Sequence, residues 1–243
     1  MKLVVFVAVL GVSVPIVAAA QTRQAAPRGR AAAAPAPPAP APAPDKTAEA
    51  YAQFLAAHAF ADQGNLEGAI AAYRRAMTLD PLSATIPAEL AELLQGENRA
   101  ADARAAAEQS LKIDAANKQA HRVLAQHFAG LAGNAQDSPA GRASQQENVT
   151  RAIGHYESAL ESPVKLTDIE IRAQLSRLYL YADQYDKAIP LLTDIVKEAP
   201  TWRDGPTLLM QAYSGAGKSK EAVAWLEETA PDNPQLYATL AGF

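Results

Sequence analysis

Ala69 and Ala103 stand 34 residues apart, and so do Ala188 and Ala222; Ala152 lies between them, 49 residues after Ala103 and 36 before Ala188. A chain that returns to the same small residue at this interval is built from similar units, and each unit must bury its apolar face against the next. Other positions repeat in register. Four residues after the marker alanines come Tyr73, Ala107, Tyr156, Leu192 and Leu226, and seven after come Ala76, Ser110, Ala159, Ile195 and Thr229. Nine residues before four of them are Phe60, Leu94, Tyr179 and Tyr213, and three earlier still are Ala57, Ala91, Ser176 and Met210. Large and small residues thus alternate between fixed places, as they must where two packed surfaces interlock.

From Lys46 onward apolar residues recur at spacings of three and four, which is helical periodicity. Nothing there alternates as a strand does. Leu79-Asp80-Pro81, Ile113-Asp114-Ala115 and Glu198-Ala199-Pro200 occupy one repeat position and predict helix ends. The expectation is an all-α array of short helices in antiparallel pairs.

The first 46 residues read differently. Met1-Lys2, an apolar run from Leu3 to Val17 and Ala18-Ala19-Ala20 form the pattern of an export signal over residues 1–20. Residues 21–46 are an Ala/Pro-rich spacer: seven of the 17 prolines fall between Ala25 and Pro44, and they block helix repeatedly. The remainder, 47–243, is long enough to bury a substantial core. The absence of cysteine excludes disulfides and thiolate metal sites. Without Lys2 the exported part carries 21 basic against 26 acidic residues, which argues against nucleic acid or an anionic membrane as a general partner.

The combined pattern resembles the tetratricopeptide repeat family, a 34-residue helix–turn–helix unit. Ala50 to Pro81 is the fullest copy, with Ala57, Phe60, Gly64, Ala69, Tyr73, Ala76 and Pro81 in place; further copies run from Ala84 to Ala115, from Lys118, from Ile169 to Pro200 and from Arg203. The resemblance implies a right-handed α-solenoid of about five helix pairs, the TPR superhelix, without catalysis or cofactor. It also implies a protein or peptide partner, held in a groove along the first helices. Non-consensus positions there would do the binding: Tyr51, Phe54, His58, Glu92, Gln95, Arg122, Gln126, Arg177, Gln211 and Ser214. Arg122 and Arg177 suit an acidic group or a chain-terminal carboxylate.

The sequence departs from the family in three places. The usual first-helix tryptophan position holds Gln53, Pro87, His121, Arg172 and Pro206. The third unit carries about 15 extra residues, 132–146, which read as an inserted loop. Residues 233–243 open a sixth first helix with Leu236, Tyr237, Leu240 and Phe243 apolar, an uncapped end that implies either a folded-back lid, self-association or a chain continuing further.

Other chemistry is weaker. Ala212 to Ser219 superficially matches a phosphate-binding loop, but no strand precedes it and Gly215 to Lys218 is the expected inter-helix turn. His58, His121, His127 and His155 lack the i, i+3 or i, i+4 spacing of a helical zinc site. Asn148-Val149-Thr150 is a glycosylation sequon better read as a helix cap, and Pro190 sits far enough into its helix to distort it. The functional expectation is an exported scaffold, periplasmic or secreted, that binds protein or peptide. The alternative is the recruiting part of a larger exported enzyme, a peptidase or glycosyltransferase.

Overall fold

The structure is a computed structural model, and it describes residues 45–160 and 168–229. The expected signal, nearly all of the spacer and the expected opening of a sixth repeat at 233–243 lie outside the described residues. Within them are ten α-helices and no strand: α1 Lys46–Asp62, α2 Leu66–Leu79, α3 Thr85–Gly96, α4 Ala100–Ile113, α5 Lys118–Gly133, α6 Pro139–Leu160, α7 Asp168–Tyr181, α8 Tyr185–Glu198, α9 Asp204–Gly215 and α10 Ser219–Thr229. Successive helices form five antiparallel pairs, and each second helix also packs on the first helix of the next pair.

Local chemistry sets the boundaries. Asp45, Asn65 and Asn117 cap α1, α2 and α5 by accepting from the amides of Thr47, Gly68 and Ala120. Four of the five turns inside pairs close alike. Gly64, Asn98, Asp183 and Gly217 have φ of 72°, 58°, 57° and 69°, so each bends the chain through the left-handed region. The next amide in every case, from Asn65, Arg99, Gln184 and Lys218, donates at 2.8 Å to the carbonyl of Phe60, Leu94, Tyr179 and Tyr213. This six-to-one closure satisfies a terminal carbonyl and turns the second helix back along the first. It recurs at the 34-residue interval because the turn is part of the repeat.

The marker alanines share one environment: Ala69, Ala152, Ala188 and Ala222 are fully buried and Ala103 is 2% exposed. Their small side chains let paired helices approach, while Tyr73, Tyr156 and Leu192 fill the space towards the next pair. Two hydrophobic clusters result. One joins the first three pairs through Ile70, Tyr73, Leu90, Leu94, Val123 and Phe128; the other joins the last three through Ile153, Tyr156, Leu175, Leu192, Leu209 and Leu226. The buried hydroxyls at small consensus positions have acceptors: Ser110 donates to the Ala84 carbonyl at 2.8 Å and Ser176 to that of Arg172 at 2.7 Å.

The extra residues of the third unit differ from the expected loop. Only residues 134–138 separate α5 from α6, and α6 begins ten residues earlier relative to its marker alanine than the other second helices do. Pro139 is tolerated at the first helical position, Ser138 accepts from the Gly141 amide at 3.0 Å, and Gln145 donates to the Ala132 carbonyl at 3.1 Å. The insertion therefore lengthens both helices of one hairpin. It also places Asn148 and Thr150 inside α6, where Thr150 donates to the Gln146 carbonyl at 2.9 Å, so neither caps a helix. Pro190 leaves α8 unbroken, with its ring on the exposed side.

Replacing fully buried Ala57 or Ala91 with Leu will overpack a helix crossing and cost about 1–3 kcal/mol. The same change at exposed Ala71 on α2 will stay within about 0.5 kcal/mol, a contrast that urea titration of the three variants measures directly.

Candidate functional site

The first helices α1, α3 and α5 place side chains of consecutive units side by side. On α1, Phe54 packs edge-on against His58 (centroids 4.7 Å) and Tyr73 (6.0 Å), and Tyr51 stacks beyond Phe54 at 6.5 Å. His58 Nε2 lies 2.7 Å from a Glu89 oxygen on α3. One helical turn further on α3, Glu92 is paired with Arg122 and accepts from Gln119, both on α5. A further turn on, Gln95 donates to Gln126. Phe54, His58, Glu92, Arg122 and Gln126 therefore form one row across three units. Burial first, then the nearby Glu89 and Glu92 carboxylates, push the Tyr73 phenol above its usual range, so it stays a protonated donor at the edge of this row.

The row ends in two hollows. One of about 220 Å³ lies against Tyr51, Phe54, Asp80, Thr85 and Ile86. The other, about 350 Å³, lies against Gln95, Gln126, His127 and Leu131. Tyr51 is 61% exposed, which leaves a large ring face open at one end.

Arg122 and Arg177, expected to suit an acidic group, are each engaged by a carboxylate of this chain. Arg122 is held by Glu92, and Arg177 reaches Asp204 at 3.0 Å while its guanidinium lies 5.6 Å from the centre of the Trp202 ring. Neighbouring first helices run alongside one another, so residues 30 and 27 apart in sequence meet as opposite charges. Both pairs are partly exposed, and pairs of that kind contribute about 0–1 kcal/mol, so an incoming carboxylate could exchange with them. Arg177 belongs to a separate group with Trp202 on the later pairs, and Gln211 and Ser214 are exposed on α9.

Sequence reasoning missed Glu89 and Gln119 from the row. Glu89 lies three residues before Glu92 on the same helical face, which was the available signal.

It also missed a histidine pair. His121 on α5 and His155 on α6 bring their Nδ1 atoms to 2.9 Å, although 34 residues separate them. His121 Nε2 lies 2.9 Å from the Ala115 carbonyl, which can only accept, so Nε2 carries the proton and His121 Nδ1 receives one from His155. His155 also stacks flat on Phe128 (5.7 Å, 3°). Among the described residues no group of three or more His, Asp or Glu is placed to hold a metal ion.

The glycine-rich turn at 215–218 spends its amides on α9. Ala216, Gly217 and Lys218 donate to the carbonyls of Ala212, Ser214 and Tyr213, and the Lys218 ammonium pairs with Asp186 at 2.6 Å. These groups close a helix end where a phosphate-binding loop would present them outward.

Residues 50–81 match the tetratricopeptide repeat family. A search of curated protein sequences found no significant match. Among solved structures the chain is similar to YrrB, described as a TPR protein with an unusual peptide-binding site (18% identity, 78% of this chain and 91% of that one, TM-score 0.56). It is also similar to MamA (17%, 77% and 97%, 0.52) and to pilF of Pseudomonas aeruginosa (15%, 80% and 78%, 0.51). At these identities the likeness is one of fold. Residues 50–81 thus carry the family's repeat, and the described residues share the paired-helix solenoid fold of tetratricopeptide repeat proteins.

The histidines give the fold a pH dependence. Burial first, then His121 and Arg151, lower the proton affinity of His155 against the opposing Glu108; burial, then Arg104, do the same for His127, again opposed by Glu108. The unfolded chain therefore binds more protons below about pH 6.5, and stability contributed by the two rings falls as pH drops through that point towards their lower folded values. Thermal unfolding between about pH 7.5 and about pH 5 will show this decline, and the double variant H127Q/H155Q will show a flatter slope.

Proposed function

We propose that this protein is an exported interaction scaffold whose first helices hold an extended protein or peptide segment along the row from Tyr51 to Gln126. Three features support the reading. Adjacent first helices present alternating hydrogen-bond donors and acceptors from Glu89, Glu92, Gln95, Gln119, Arg122 and Gln126, a polar surface that can pair with a peptide backbone and its side chains. Open aromatic surface at Tyr51 and Phe54 supplies an apolar anchor at one end. The export pattern of residues 1–20, followed by an Ala/Pro-rich spacer, suits a module held in the envelope or secreted. YrrB, with its peptide-binding site, offers the precedent of peptide capture on the same fold.

The observation that carries the proposal is the cross-unit pairing of Glu92 with Arg122 and of Gln95 with Gln126, because it makes one surface from several repeats. A photo-crosslinking residue introduced at Tyr51 or Gln126 will trap partner protein in cells. The same residue at Ala71, on the outer side of α2, will not. Adducts of equal yield from position 71, or none from 51 and 126, would refute the placement.

A further inference from the structure

Ion pairs link most consecutive second helices. Arg99, just ahead of α4, reaches Glu67 on α2 at 2.9 Å. Lys187 on α8 reaches Glu157 on α6 at 3.0 Å, and Lys218, just ahead of α10, reaches Asp186 on α8 at 2.6 Å. Between α4 and α6 no such pair is formed among the described residues. The cations there stand on both walls: Arg104 and Lys112 on α4, Arg151 on α6.

The available carboxylates are used along each helix rather than across the gap. Glu108 pairs with Arg104 at 2.7 Å and Glu147 with Arg151 at 2.6 Å, and among the described residues no carboxylate lies in ion-pair range of Lys112. The gap is a shallow groove of about 470 Å³, open to solvent. Half-buried Leu111 lines it below the cations, together with the edges of the nearly buried Leu124 and Phe128. The Arg104 and Arg151 guanidiniums lie 5.9 and 5.2 Å from the centre of the same Phe128 ring, held by the attraction of a cation to an aromatic face. His155, stacked on that ring, is driven towards its neutral form, so the positive charge here comes from the two arginines and the lysine.

We propose that the cleft between α4 and α6 is a second binding site, distinct from the row on the first helices, and that it takes a small amphiphilic carboxylate. The apolar body rests on Phe128, Leu124 and Leu111, and the acid head enters between Arg104 and Arg151. An apolar floor selects an organic body over a free inorganic anion. Three cations, Arg104, Lys112 and Arg151, stand against two carboxylates, Glu108 and Glu147, and the surplus positive charge selects a negative head. The ligand then supplies the cross-gap pairing that neighbouring units obtain from their own side chains.

Octanoate titrated into the full chain, followed by NMR and by calorimetry, tests the site. Saturable binding that moves the Phe128 and His155 ring signals is expected. The variant R104Q/R151Q will lose about tenfold in affinity with its helical circular dichroism unchanged, and K112Q, which touches no buried ring, about twofold. E108Q, by removing a competing carboxylate, will bind octanoate more tightly. Octanoate binding of equal strength in K112Q, E108Q and the parent chain would overturn the proposal, as would equal binding of 1-octanol and octanoate by the parent. Absence of any ring-signal shift with millimolar octanoate would do the same.

Discussion

The close approach of paired helices at alanine is the contact on which everything else rests. A side chain of one carbon at Ala69, Ala103, Ala152, Ala188 and Ala222 sets how near the second helix lies to the first, and that distance fixes where the residues four positions on, larger in every unit but the second, can reach. Because the same spacing recurs, each pair offers its successor nearly the same surface. Contacts between non-neighbouring pairs are few, so the array is held together by links between adjacent units. The left-handed residue at 64, 98, 183 and 217 completes the unit by fixing the angle at which the chain returns.

The functional surfaces are by-products of that regularity. Once first helices lie side by side, polar residues one repeat apart become neighbours, which is how Glu92 meets Arg122 and Arg177 meets Asp204. Second helices stand further apart, and between them the chain uses ion pairs, except at α4 and α6. The lengthened third hairpin borders that exception on one side. Its long α6 carries Glu147 and Arg151 at i and i+4, so that acid turns to its own helix.

Much of the fold could be read from the sequence because repetition is a one-dimensional signal. The alanine interval, the turn glycines at 64 and 217 and the helix ends at Asp80 and Asp114 all lie in short windows, and local rules suffice for them. The extra residues at 132–146 misled because their Gly, Ser and Pro content suggests a loop, while Pro139 in fact sits at a first helical position and the alanines behind it favour helix. The histidine pair and the occupied arginines escaped for another reason. Residues 27 to 34 apart face one another only after the helices are superposed unit on unit, and no spacing rule within a single helix reports that. The residues of the first-helix row were found in the main by resemblance, and Glu89 was lost for want of knowing which face Glu92 shared.

The two hydrophobic clusters have a consequence for how the array is joined. Both draw on the third pair, with Ala125 and Ala152 falling on opposite sides of the division, so this hairpin is the keystone between an earlier and a later block. Loosening it would disturb the interiors of both blocks at once, because each cluster includes residues of that hairpin. A long partner lying along the described helices would therefore meet both blocks and the one hairpin that belongs to each.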